Sequence, residues 1–135
     1  MTLADARARF KAQLVRSNDV TKAKGFYDTL LKPLGLVRHA DYPNAVGYGP
    51  SGGRPQLWIV SPLDKKAASV GNGITVGLDA PDRAAVDAAH KAGMSAGGKD
   101  EGAPGLRTHY HPNYYGAYLR DPDGNKICVV CHKPA

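Results

Sequence analysis

The residues best suited to chemistry lie near the end of the chain, in Tyr114-Tyr115-Gly-Ala-Tyr-Leu-Arg-Asp-Pro-Asp-Gly-Asn-Lys-Ile-Cys128-Val-Val-Cys131-His132. Two thiols and an imidazole in this spacing spell C-x-x-C-H, a haem-attachment pattern in other settings. On a strand, period two sends Cys128 and Cys131 to opposite faces, so neither haem attachment nor a disulfide between them fits. Cys128 is a candidate catalytic nucleophile if it faces a polar cavity near a base. Facing the interior, it is a small buried hydrophobe. His109-Tyr110-His111 places two imidazoles one residue apart, a pattern for proton transfer or a replacement metal site, and His109 is a second catalytic candidate. His111-Pro112 and the glycine-rich approach set this stretch in a loop, where a structural or substrate-positioning histidine is the plainer reading.

Four more residues are candidates for ligand contact. Arg107 follows Gly102-Ala-Pro-Gly, a loop that can hold a guanidinium over a cavity mouth to meet a carboxylate or phosphate; the alternative is a solvated surface arginine. Tyr48, Trp58 and Tyr115 fall in strand-like runs and face either a cavity or the core. Core packing suits Trp58 slightly better, and His90 on the second helix is expected to cap or pack near its end.

The elements that must position these residues are well signalled. Asp121-Pro122-Asp123-Gly124 between two runs of aromatic and β-branched residues marks a hairpin. A four-residue turn pairs Arg120 with Asn125, which sets Ala117 opposite Cys128 and Tyr115 opposite Val130, all on one surface; a bulge would shift this. Upstream, Gln13 to Ser17 suits a strand and Asn18-Asp19 an N-cap. Val20, Ala23, Tyr27, Leu30 and Leu34 mark one helix face, ended by Pro33 and Gly35. Strands follow over 36–42, 45–49 and 56–60. A linker spans roughly Pro62 to Gly73, and another strand runs over 74–78. Asp82 opens a helix with Ala85, Val86, Ala89 and Ala92 inward, closed by Gly97-Gly98. The stretch 99–112 is irregular, and residues 1–11 suit a short helix or frayed arm.

The two halves match. Asp19 and Asp82, Phe26 and Ala89, and Gly35 and Gly98 each stand 63 residues apart, the mark of an internal duplication. Neither half can bury both faces of its own sheet, so the halves are expected to pack together and to curve around a shared cavity.

A chain of 135 residues with 42% hydrophobic content fits one globular domain, here 1–135. No apolar run approaches a membrane span and the start lacks an apolar leader core, so no membrane partner and a cytoplasmic location are expected. The net charge of +6 is spread over scattered Lys and Arg without an aromatic-interleaved stripe, so no nucleic-acid partner is expected.

Phe26-Tyr27-Asp28, Leu34-Gly35-Leu36, Gly71-Asn-Gly73, Gly102-Ala-Pro-Gly-Leu-Arg107 and Tyr114-Tyr-Gly-Ala followed by Asp-Pro-Asp-Gly-Asn together resemble the glyoxalase, bleomycin-resistance and extradiol-dioxygenase superfamily, the vicinal oxygen chelate proteins. The resemblance covers about residues 12–132. It implies an α+β fold of two βαβββ modules, about 12–62 and 73–132, whose curved mixed sheets enclose a small-molecule site, usually in a homodimer. It also implies, in metal-dependent members, a first-strand His from each module and a final-strand Glu holding a divalent cation with positions left open for substrate oxygens. Carried over, those positions are Ala12, Thr75 and Cys128. No metal and no other cofactor is therefore expected. The resemblance and these departures point to a small organic ligand in a metal-free cavity, with Tyr48, Trp58, Thr75, Arg107, Tyr115 and Cys128 as candidate contacts. A metal-independent lyase or isomerase using side-chain acid/base or thiol chemistry is the alternative.

Overall fold

A computed structural model describes residues 13–135. The first-strand ligand position, Ala12, and the expected arm over residues 1–11 lie outside the described residues. Strand β1 (Gln13–Arg16) leads through the cap Asp19, whose side chain accepts from Lys22 N, into helix α1 (Val20–Leu31). A 3-10 turn over Lys32–Leu34 follows, with Pro33 inside it. Gly35 then takes φ of 74° and turns the chain into β2 (Leu36–Tyr42), β3 (Ala45–Pro50) and β4 (Leu57–Val60). The second half repeats this with β5 (Val76–Asp79), α2 (Arg83–Ser95), β6 (Lys99–Leu106), β7 (Tyr115–Arg120) and β8 (Lys126–Cys131). Asp82 caps α2 by accepting from Ala85 N. Gln13 and Val76, Val20 and Arg83, and Leu36 and Lys99 begin equivalent elements at the 63-residue offset.

Each half forms a four-stranded mixed sheet, ordered β1-β4-β3-β2 and β5-β8-β7-β6, with one parallel pair at β1·β4 or β5·β8. Each helix packs on its own sheet and on the other helix. Burying both apolar helix faces at one seam solves a problem that neither module solves alone. The core gathers Phe26, Tyr27, Leu30 and Leu31 from α1 with Val86 and Ala89 from α2. Val46, Tyr48, Leu57 and Ile59 come to it from the first sheet, and Ala117, Leu119, Ile127 and Val129 from the second. Gly93 lets the helices and β7 approach closely, because a Cβ there would stand 2.4 Å from Leu119 Cδ1 and 3.1 Å from Leu30 Cδ1.

The stretch 99–112, expected to be irregular, contains strand β6. Its register against β7 shifts twice, between Asp100 and Gly102 and between Gly102 and Gly105. Bulges of this kind destroy the alternation by which a strand is read. Among the described residues no helix is long and apolar enough to cross a membrane.

Candidate functional site

The hairpin register decides which side chains meet. Arg120 pairs with Lys126 rather than Asn125, so Tyr118 stands opposite Cys128, Ala117 opposite Val129 and Tyr115 opposite Cys131. This corrects the expected register by one residue, and a slip of one turns every side chain to the other face. The cause is Asp121. Its carboxylate accepts from Asp123 N at 3.0 Å, Asn125 N at 2.8 Å and Asn125 Nδ2 at 2.9 Å. Asn125 is thereby held in the turn instead of the ladder. Gly124 takes φ of 91° there, as the turn sequence requires.

Two expected contacts lie on the helix side, Tyr115 because of this register and Tyr48 through its place on the first sheet. Tyr115 packs against the core, donates to Asp87 Oδ1 on α2 at 2.6 Å and carries Arg83 over its ring. It does not share the face of Cys128. Its phenol is held protonated above the ordinary range, chiefly by that bond to Asp87. Tyr48 is also a core residue, fully buried, donating to Asp28 Oδ1 at 2.7 Å. Arg38 pairs with the same Asp28, so this phenol belongs to a strut between α1 and its sheet.

The faces turned away from the helices differ in character. On the first sheet, Trp58 is half-buried and lies over Gly47, with exposed Leu14 beside it at the parallel pairing. On the second, Cys128 is the floor of a polar aromatic cluster. The Tyr114 hydroxyl lies 3.3 Å from Cys128 Sγ and 2.8 Å from the Tyr118 hydroxyl. Tyr114 reaches there by folding over Gly116, where a Cβ would sit 2.9 Å from its ring. Burial, then the bonds to Cys128 and Tyr118, push the Tyr114 phenol well above its ordinary pKa; burial is also the main cause raising Tyr118. Both phenols are therefore neutral donors near pH 7.

The cluster continues along the β6–β7 loop. His111 Nε2 lies 2.8 Å from His132 Nδ1, the two rings stack, and both meet Tyr114 edge-on. His111 thus pairs with His132 and not with His109, which is exposed and rests against Tyr110. Arg107 donates to Ala103 O at 2.8 Å and its guanidinium stands 5.8 Å from the Tyr118 ring centre. Lys126 Nζ stands 5.6 Å from the same centre. Tyr118 and Lys126 were missed from the sequence because the assumed register hid them. His90 bonds Asp100 across 2.9 Å.

The two thiols fall on opposite faces as period two requires. Both are buried and free; Cys131 belongs to the core cluster, while Cys128 is buried on the other face beneath Tyr114. A cleft of about 220 Å³ opens between the modules, lined by Leu14, Arg16, Ile74, Asn125 and Lys126 among others. Thr75 is exposed just before β5, between Ile74 and Val76, which line this cleft; Thr75 itself is not part of the lining. Among the described residues no three His, Cys, Asp or Glu side chains gather to hold a metal ion. Thr75 brings a weak neutral donor and Cys128 a thiol already bonded to a phenol, a set that does not fit a cation requiring two imidazoles and a carboxylate.

The family model of the glyoxalase/bleomycin resistance protein/dioxygenase superfamily matches residues 9–129. Among solved structures, a glyoxalase/bleomycin resistance protein from Albidiferax ferrireducens T118 is 38% identical with a TM-score of 0.82, covering 93% of this chain and 99% of its own. A family enzyme from Burkholderia phytofirmans PsJN is 17% identical, TM-score 0.68, over 92% and 98% of the two chains. A lactoylglutathione lyase from Agrobacterium tumefaciens is 23% identical, TM-score 0.61, over 89% and 90%. The last two show a shared fold alone. No curated protein is similar enough in sequence to count as a relative. With its repeated sheets and a match over most of its length, the chain belongs to the glyoxalase/bleomycin resistance protein/dioxygenase superfamily.

Proposed function

We propose that this chain is a binding protein that takes up a small organic molecule on the helix-free face of its second sheet, without a metal ion. The observation that carries this is the chain of contacts Cys128–Tyr114–Tyr118, at 3.3 and 2.8 Å, which begins at the β8 position where the family resemblance calls for a carboxylate ligand. Neutral phenols and a thiol make a set of hydrogen-bonding and polarisable contacts, not a cation cage. Thr75 beside the cleft and Trp58 on the first sheet extend the candidate surface with a hydroxyl and an aromatic wall.

The alternative, a metal-independent lyase or isomerase, needs a base to ionise Cys128 or to move a proton. Cys128 is hydrogen-bonded to Tyr114, whose raised pKa keeps the phenol protonated, so that near neutral pH it has no phenolate to act as a base. His109 is exposed and packs on Tyr110, and no hydrogen bond joins it to Cys128 among the described residues. A homodimer accords with the exposed Leu14, Val37 and Tyr42, and a cytoplasmic location with a fold that uses no disulfide among its described residues. Light scattering at working concentration reports the first.

A thermal-shift screen of small organic compounds tests the central reading, since binding to the native state raises the midpoint. Compounds that raise it are expected to do so equally in chelator, and Cys128→Ala is expected to weaken binding while no compound is turned over. Turnover that vanishes in Cys128→Ala would favour the enzyme, and a stoichiometric divalent ion in protein purified without added metal would overturn the metal-free claim.

A further inference from the structure

We infer that the ligand of this face is an organic anion, a carboxylate carried on a flat apolar body; this rests on the small-molecule reading above and narrows it. Two cations, Arg107 and Lys126, come to the same aromatic ring, that of Tyr118, at 5.8 and 5.6 Å from its centre. They arrive from different elements, one from the residue after β6 and one from the start of β8. Neither forms an ion pair with a carboxylate among the described residues. The hydrogen bond of Arg107 goes to a backbone carbonyl, Ala103 O.

The nearby carboxylates are already engaged. Glu101, which feels the charge of Lys126, accepts from Arg120 Nε at 2.7 Å. Asp121 and Asp123 are turned into the seam between the modules, where they meet Tyr27, Asn125, Ser17 and the backbone of Asn18. Asp79 shares the face but stands opposite Val130, at the end of β8 away from Lys126, and has an interaction of its own.

Two cations converging on a ring without a carboxylate partner make an electrostatic preference for an anion. Each neutral hydroxyl has one proton; with Tyr114 donating to Tyr118, the Tyr118 hydroxyl is left as a donor that a carboxylate can accept from. Flatness follows from the walls. Tyr118 presents a ring to the cations, and Tyr114, His111 and His132 form a contiguous set of aromatic rings along the loop edge. Lys126 also lines the cleft that contains Leu14 and Ile74, which gives an apolar body a place beyond the charged end.

The test compares benzoate and cinnamate with benzamide and cinnamamide by titration calorimetry and thermal shift on the full chain at low and high salt. The acids are expected to bind at least about tenfold more tightly than the matched amides, with the difference shrinking as salt rises. Arg107→Met and Lys126→Met, which keep an apolar stem, are each expected to weaken the acids by about tenfold and the amides by clearly less, so that the preference for acids shrinks; a loss equal for acids and amides would overturn the anion assignment. Circular dichroism checks that the variants fold, and the comparison of acids with amides on the unaltered chain needs no variant. Amides binding as tightly as acids would overturn the anion assignment and leave the small-molecule reading standing. No binding of acids, amides or any neutral compound in the screen would overturn both.

Discussion

Cys128 occupies a strand position where the family resemblance calls for a carboxylate, and the structure shows what surrounds a thiol there. Its neighbours are two phenols whose neutral forms are favoured chiefly by burial, and in Tyr114 also by its bonds to Cys128 and Tyr118. The pH consequence has a definite sign. A phenol whose folded-state pKa is raised adds stability that is fully present below the unfolded value of about 10 and is lost as pH rises through the folded value. Tyr27, Tyr48, Tyr114, Tyr115 and Tyr118 are all raised. The melting temperature is therefore expected to fall as pH climbs above about 10, and a spectroscopic tyrosine titration to show part of the phenols ionising late. Tyr114→Phe should remove one late phenol; an unchanged titration in that variant would contradict the assignment. Cys128 itself was legible as the informative position from the sequence. Its partners were not, because a one-residue difference in register exchanges Tyr115 and Ala117 for Tyr118.

At the scale of elements, that difference comes from one side chain. The Asp121 carboxylate is buried and accepts from the Tyr27 hydroxyl at 2.6 Å as well as from its own turn. It thus ties the β7–β8 turn to α1 of the other module. Asp-Pro-Asp-Gly announces a turn, but the number of residues inside it depends on where the Asp side chain bonds, and that is a tertiary matter. The helices were easier to read because their signals are local: Asp19 and Asp82 cap backbone amides three residues on. Strand β6 was not, since Gly102 to Gly105 interrupts the period with bulges. Tyr27→Phe removes a bond to a buried carboxylate and is expected to lower stability by about 1.5–3 kcal/mol in denaturant unfolding. Gly93→Ala forces a methyl against Leu119 and is expected to lower it by about 1–3 kcal/mol. Stability unchanged in both would mean that the module seam is looser than described.

For the whole molecule, the 63-residue offset was the strongest clue, and it persists through the first strand, the helix and the start of the second strand of each module. It then lapses, because the connection between β6 and β7 is longer than that between β2 and β3. That extra length carries Arg107, His111 and Tyr114 onto the second sheet, so the half that departs from the repeat is the half that bears the candidate site. The first sheet retains an apolar face around Trp58 and Leu14. The most direct test of metal-free binding on the second sheet is amide chemical-shift mapping with a compound that raises the melting temperature, in the presence of a chelator. The shifts are expected to cluster at residues 114–118 and 126–130 and to be unaffected by the chelator. Shifts that map elsewhere, or that disappear once metal is removed, would contradict the account.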